Sequence, residues 1–378
     1  MNAFDTWDTQ NLKSNISGRY ITNDHIEKLL ADLGDMFSIS TLGYSVENRP
    51  IHAVTLGSGP KRILSWSQMH GNESTTTKAV FDCFNFFSDT SDDDFIHSLL
   101  KECTFLFIPI LNPDGAYYYT RNNANDVDLN RDAFLQTQAE SKVLITAFKT
   151  FQPDFCFNLH DQRSIYGFKE SGSPSVLSFL APSADEERSV TLSRKQAMSI
   201  VGDIHDTLKA QLPGQIGRYN DAYNINCAGD FFQTHGVPTI LFEAGHHPED
   251  YQREETRRYI FMALLTAFRS ILHSKFENAA SYSAIPEHQN CFVDILVTNA
   301  RLDEQEHTQI AIRYIEMLKS KTIEFVPVIE AITSDRVLYG HRTINAQGKR
   351  VMPLKDETLT EGSKLSGIQI EGESTITF

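Results

Sequence analysis

Residues 62–87 read RILSWSQMHGNESTTTKAVFDCFNFF. The opening run, 62–67, is short, apolar and of strand type. From about 73 to 87 the side chains of Val80, Phe81, Phe84 and Phe87 share one face of a predicted helix. Gly71 lies between the two and permits a tight strand-to-helix turn. The pattern recurs downstream. Buried strands are predicted over 104–109, 154–159 and 238–243, and helices over about 140–151, 184–212 and 249–273. Short apolar strands alternating with helices specify an α/β fold with a mixed, mostly parallel central sheet flanked by helices. Upstream, a helix over 23–35 with Asn23 as its cap precedes strands over 37–42 and 49–56, and 89–94 is a solvated acidic loop.

The composition shifts after about residue 275. A strand over 292–298 and a helix over 303–320 lead into a segment, 323–378, of short β-like runs broken by Gly, Asp and Asn. The expected organisation is a catalytic domain over 1–275 and a small appended β-rich C-terminal domain over 283–378.

The 378 residues are 40% hydrophobic and 22% charged, as in a globular protein. The net charge of −15 repels phosphate backbones, which argues against nucleic acid as a partner. No run of about 18 apolar residues offers a membrane span. The start, Met1-Asn2-Ala3-Phe4-Asp5-Thr6-Trp7-Asp8, has neither the basic nor the apolar region of a secretion signal. Five cysteines without a Cys-x-x-Cys pair fit the reducing cytoplasm, the expected location.

Several polar residues fall where the apolar strands end. His70 and Glu73 straddle the first strand-to-helix turn, so both side chains can converge on one point. His160 closes the run Phe155-Cys156-Phe157-Asn158-Leu159, and Glu243 closes Pro238-Thr239-Ile240-Leu241-Phe242. Arg121 follows the turn Asn112-Pro113-Asp114-Gly115. Open α/β sheets place their sites at the carboxyl ends of strands. Two His and one Glu can hold a zinc ion with one position open for water. A separate Glu can take a proton from that water, and an Arg can stabilise the charge that develops on an attacked carbonyl. His-x-x-Glu alone is a weak signal: with 13 histidines about one accidental match is expected, and His246-His247-Pro248-Glu249 is a second match. That one sits in a proline-containing loop and reads as a polar rim. Asp161 is placed to orient a ring nitrogen, or simply to be solvated. In Asp128-Leu129-Asn130-Arg131-Asp132, the Asn130–Arg131 pair suits a carboxylate clamp, or else a polar turn capping the next helix.

Taken in order, His-Gly-Asn-Glu at 70–73, Asn-Pro-Asp-Gly at 112–115, Arg121, Asp-Leu-Asn-Arg at 128–131, His160 and Glu243 resemble the zinc carboxypeptidase family, metallopeptidase family M14, over about 45–272. The resemblance is to bacterial-type members more than to digestive enzymes. It implies one Zn2+ per chain held by His70, Glu73 and His160, with Glu243 as general base and then acid, and Arg121 polarising the scissile carbonyl. It also implies that Asn130 and Arg131 hold the terminal carboxylate of a peptide substrate. The family's mobile tyrosine best matches Tyr223, with Tyr219 as the fallback. Asp230 either faces the specificity pocket, favouring a basic C-terminal residue, or caps the helix before Phe231. The implied reaction is hydrolysis of a C-terminal peptide or isopeptide bond, murein-derived peptides included. The competing class is an N-acyl amino acid deacylase resembling the aspartoacylase and succinylglutamate desuccinylase branch, which shares His-Gly-Asn-Glu and Asp-Leu-Asn-Arg. A third is a binding protein that kept the pocket, against which the complete polar set argues.

Overall fold

The computed structural model describes residues 16–302, 305–354 and 357–378. Helix α1 (Asn23–Ala31) precedes strands β1 (Ser38–Tyr44), β2 (Pro50–Gly57) and β3 (Lys61–Ser67), helices α2 (Thr75–Asp89) and α3 (Asp94–Glu102), strand β4 (Cys103–Ile108) and helix α4 (Pro113–Tyr118). Then come α5 (Ala139–Phe151), β5 (Phe155–Asp161), β6 (Tyr166–Phe168), β7 (Ser173–Pro174), β8 (Leu177–Leu180), α6 (Leu192–Leu208), β9 (Ile216–Arg218), α7 (Ala228–Thr234), β10 (Thr239–Ala244), α8 (Glu254–His273) and α9 (Ala279–Ala284). The rest is β: β11 (Gln289–Asn290), β12 (Phe292–Leu302), β13 (Gln305–Lys319), β14 (Thr322–Thr333), β15 (Tyr339–Asn345), β16 (Val351–Pro353), β17 (Gly367–Ile370) and β18 (Thr375–Thr377).

Eight strands form one mixed sheet in the order β1-β2-β4-β3-β5-β10-β8-β9. Its centre, β4-β3-β5-β10, is parallel throughout, so these strands end at the same edge. Both faces are covered, which is why the central strands read as nearly unbroken apolar runs. On one face Phe84, Phe105, Phe107, Phe157 and Phe268 pack with α2, α6 and α8. On the other, Leu64, Trp66 and Cys156 pack with Leu144 of α5 and Phe232 of α7. Each fully buried side chain of this size contributes about 1.5–3 kcal/mol.

The chain divides into two compact units, one made of residues up to 162 with 176–287, the other of 163–175 with 288–378. The second unit contains the sheets β14-β13-β12-β15 and β16-β17-β18, around Ile295, Val297, Ile310, Ile312, Ile329 and Ile368. Segment 163–175 joins it because β6 pairs with β11, although sequence reading places that segment in the first domain. Strands of two and three residues leave no periodic trace to read.

Other expectations need correction. The helix expected over 303–320 is strand β13, paired on both sides with β12 and β14; residues 303–304 of that range lie outside the described ones. Its Glu, Met and Leu residues favour a helix locally, but Ile310, Ile312 and Ile315 suit a strand flanked by two others. The helix expected from 184 begins only at Leu192, where Thr191 caps it by accepting from Arg194 N. The next begins at Glu254 rather than 249, after Arg253 in the left-handed region. Thr22, not Asn23, caps α1, and the Asn23 amide donates instead to Pro50 O. Helix α3 has no counterpart in the sequence reading. The reading of residues 1–8 as lacking a signal falls outside the described residues. Among those described, no helix is long and apolar enough to cross a membrane. All five cysteines are unpaired.

Candidate metal centre

Strand β3 ends at Ser67, and the chain turns through Gln68-Met69-His70-Gly71-Asn72-Glu73 before α2 starts. The turn is held from behind by the segment after β4. Leu111 N donates to Ser67 O (3.0 Å), Asn112 N to Gln68 O (3.0 Å) and Asn112 Nδ2 to Met69 O (3.2 Å). Gly71 lies against Gly115 so closely that a Cβ on it would fall 1.9 Å from the Gly115 carbonyl carbon; both glycines are sterically required. His160 is carried by β5 and Glu243 by the adjacent parallel β10, where the two are register partners.

This framework brings His70, Glu73 and His160 together, all buried, with their ligand atoms within 4.8 Å of one another. His70 Nδ1 lies 2.9 Å from Glu73 Oε1, His160 Nδ1 lies 2.8 Å from Glu73 Oε2, and the two Nδ1 atoms are 3.0 Å apart. Four lone-pair-bearing atoms therefore face one point. Their spacing approaches the ligand–ligand separation of about 3.4 Å implied by tetrahedral zinc at about 2.1 Å. Such an array suits a cation, because without a positive charge its lone pairs oppose one another. The electrostatics agree. Burial works against a charge on His70, but the Glu73 and Asp128 carboxylates overcome it and raise its proton affinity. Burial pushes His160 the other way, down to about 4. Burial also opposes the Glu73 charge, yet the two imidazoles hold its carboxyl well below the ordinary range.

Glu243 retains some accessible surface, and its carboxylate makes no hydrogen bond to the described residues. Burial first, and then the Glu73 and Asp161 charges, push its proton affinity well up; Arg121 and Arg253 counter this only in part. Arg121 is half-exposed. It reaches Glu73 Oε1 through Nη1 (3.2 Å) and Asp128 Oδ2 through Nε and Nη2 (3.2 and 3.1 Å).

Asp128 is the residue that sequence reasoning missed as a member of the site. Its Oδ1 lies 3.0 Å from His70 Nε2, so it fixes the ring and turns Nδ1 toward the cluster, while Oδ2 seats Arg121. The signal was present in Asp-Leu-Asn-Arg, where only the last two residues were given roles. Asp161 does not touch a ring. It caps α2, accepting from Thr75 N (2.9 Å), Thr75 Oγ1 (2.5 Å) and Thr76 N (3.4 Å), while its own N–H donates to Glu73 Oε2 (3.1 Å).

The remaining candidates lie around this cluster, not in it. Asn130 Oδ1 accepts from Ala228 N (3.0 Å), and Arg131 Nη1 donates to Asn130 O (2.7 Å) and contacts Cys227 Sγ (3.2 Å). Arg131 is exposed and the rest of its guanidinium is free of described partners. Tyr223 is half-buried, with its hydroxyl 3.2 Å from Thr234 Oγ1. Asp230 neither caps α7, whose N-cap is Cys227, nor offers a free carboxylate. Its two oxygens accept from Ser183 N (3.0 Å) and Asn224 N (3.2 Å), and burial raises its pKa to about 7. Of the second His-x-x-Glu match, His246 packs on Tyr251 and Glu249 is exposed, and neither joins the metal-type group.

Known proteins resemble the chain in sequence and in fold. The sequence profile described as Zinc carboxypeptidase matches residues 22–159. Carboxypeptidase SOL1 of Arabidopsis thaliana is 27% identical over 46% of this chain and 40% of its own length. Carboxypeptidase A4 of Mus musculus is 28% identical over 26% of this chain and 24% of its own. The chain thus spans at most 40% of the length of these two relatives. Among solved structures, a metallo-carboxypeptidase from Burkholderia cenocepacia matches with a TM-score of 0.54 at 19% identity, covering 68% of this chain and 70% of that one. Carboxypeptidase A from Helicoverpa armigera matches at 0.53 and 15%, covering 70% and 78%. A metallo-carboxypeptidase from Pseudomonas aeruginosa, solved in complex with (2-guanidinoethylmercapto)succinic acid, matches at 0.52 and 17%, covering 68% and 70%. These three likenesses establish a shared fold.

Proposed function

Because the chain belongs to the zinc carboxypeptidase family, we propose that it is a zinc metallocarboxypeptidase hydrolysing the last peptide or isopeptide bond of a substrate with a free C-terminal carboxylate. The convergence of His70 Nδ1, Glu73 and His160 Nδ1, with Arg121 on the same carboxylate and Glu243 in register with His160, carries this reading. These three ligands would hold one zinc ion per chain, which supplies Lewis-acid polarisation of a carbonyl and a bound water of lowered pKa.

The chain's own residues account for the proton and charge movements. Glu243 accepts a proton from the attacking water and returns it to the departing amine; its raised proton affinity favours the uptake of that proton. Arg121, held by Asp128, offers guanidinium donors to the oxygen on which negative charge develops. Arg131, with Asn130 beside it, binds the substrate's terminal carboxylate, for which a planar guanidinium is bidentate. Tyr223 is the candidate to close over bound substrate. Asp230, committed to two backbone amides, is given no part in substrate choice.

Metal analysis and hydrolysis assays on the same purified protein test this, using ordinary peptides, murein peptides and N-acyl amino acids. About one zinc per chain with release of a C-terminal residue is the expected result. Zinc with deacylation alone would replace the peptidase by the deacylase reading. Zinc without turnover on any of these substrates would favour a binding role.

A further inference from the structure

Gln68 stands between the end of β3 and the turn that carries His70 and Glu73. It is fully buried, and its φ of +44° lies in the left-handed region that side-chain-bearing residues seldom occupy. Such a conformation persists only where the surroundings over-determine it. Here the surroundings act on the side chain. Nε2 donates to Ile21 O (3.0 Å) and Gly71 O (2.9 Å), and Oε1 accepts from Thr77 Oγ1 (2.8 Å). The amide's orientation follows from its partners, since a carbonyl oxygen can only accept. Gly71 lies between the two ligands, Thr77 is in the first turn of the helix after Glu73, and Ile21 belongs to the segment leading into α1. One buried carboxamide thus ties three stretches of chain around the ligand-bearing turn.

We propose that Gln68 is a positioning residue for the metal centre: its carboxamide, not merely its backbone, sets where His70 Nδ1 and the Glu73 carboxylate point. The inference rests on His70, Glu73 and His160 being metal ligands. Three variants separate the amide from the turn. Gln68→Gly adopts the left-handed conformation freely but has no amide. Gln68→Asn tolerates that conformation better than most residues, yet its amide falls one methylene short. Gln68→Glu keeps the shape and sets a carboxylate oxygen against two carbonyls.

Zinc dissociation constants are read by chelator competition, and melting of the metal-stripped proteins is recorded beside them. Zinc binding is expected to weaken about 10- to 100-fold in Gln68→Gly and Gln68→Asn, the usual loss when support behind a ligand is removed. The stripped Gln68→Gly protein is expected to melt below the wild type, because the loss of three buried hydrogen bonds outweighs the strain relieved. A turn-forming role alone predicts that glycine serves as well as glutamine. Zinc affinity within twofold of wild type in Gln68→Gly and Gln68→Asn would therefore overturn the inference and leave the metal reading intact. Failure of the wild-type protein itself to bind zinc would overturn both. If Gln68→Gly does not fold, Gln68→Asn decides between the same two outcomes.

Discussion

At the level of single residues, position and burial give chemically similar side chains different tasks. Glu73, in the turn before α2, and Glu243, near the end of β10, are both carboxylates, but the imidazoles hold one ionised while burial and neighbouring negative charge push the other toward its protonated form. Glu243→Gln should keep the metal and lower kcat about 10²- to 10⁴-fold, as for loss of a general base. A fall of only a few-fold would remove Glu243 from that role. The base must be deprotonated to act, so kcat/KM should rise with pH, and the acidic limb should lie above the ordinary glutamate value of about 4.3. Asp230 makes a separate pH prediction. Its folded-state pKa of about 7 exceeds the unfolded value of about 3.9, so the folded state holds the extra proton between them. The stability contributed by this group is present below about pH 4 and is lost as pH rises toward 7. Denaturant unfolding across that window should show the wild type losing stability relative to Asp230→Asn as pH rises, and parallel profiles would exclude Asp230 as the source. Most of the candidate site was legible at this scale because the candidate ligands follow strand runs in short motifs. Asp128 and Asp161 were not, because which carboxylate meets a ring and which meets a helix N-terminus depends on neighbours distant in sequence.

At the level of elements, buried ionic and polar ties set how strands and helices meet. Arg253 donates to Ala244 O (2.7 Å), to Gly245 O and to Gln162 O (2.9 Å), joining the ends of β5 and β10 just beyond His160 and Glu243. Asp82 of α2 and Arg257 of α8 form a buried bidentate pair at 2.5 and 2.6 Å, and Arg257 also donates to Ile16 O (2.9 Å) and Glu254 Oε2 (2.9 Å). Asp82→Ala would strand a buried guanidinium. Breaking such a pair costs about 3–5 kcal/mol, and the remaining Glu254 contact points to the lower end. Urea unfolding measures this; a change below about 1 kcal/mol would mean that Arg257 finds equivalent partners. Strand β13 shows where element-level reading fails. Its local composition favours a helix, and only the two flanking strands decide otherwise.

At the level of the whole molecule, the first unit contains every residue assigned to the site, whereas segment 163–175 depends on the second. Ile165 O accepts from Cys291 N (3.1 Å), Tyr339 Oη donates to Lys169 O (2.7 Å), and His341 Nε2 lies 2.7 Å from Ser164 O. A protein ending at Glu287 should therefore still bind one metal ion but become protease-sensitive within 163–175. Loss of the metal from that shortened protein, or protection of 163–175, would contradict this division. From sequence alone came the α/β class, the parallel centre of the sheet and a candidate ligand set at its carboxyl edge. Apolar strand runs and the residues that close them are local features, and strand ends of a parallel sheet meet wherever the strands are adjacent. Tertiary structure alone decided the strand order that puts Glu243 beside His160, the partnership of Asp128 with His70, the strand identity of 305–319 and the place of 163–175. Each of these is a contact between segments far apart in the chain, and nothing within either segment encodes which partner it will find.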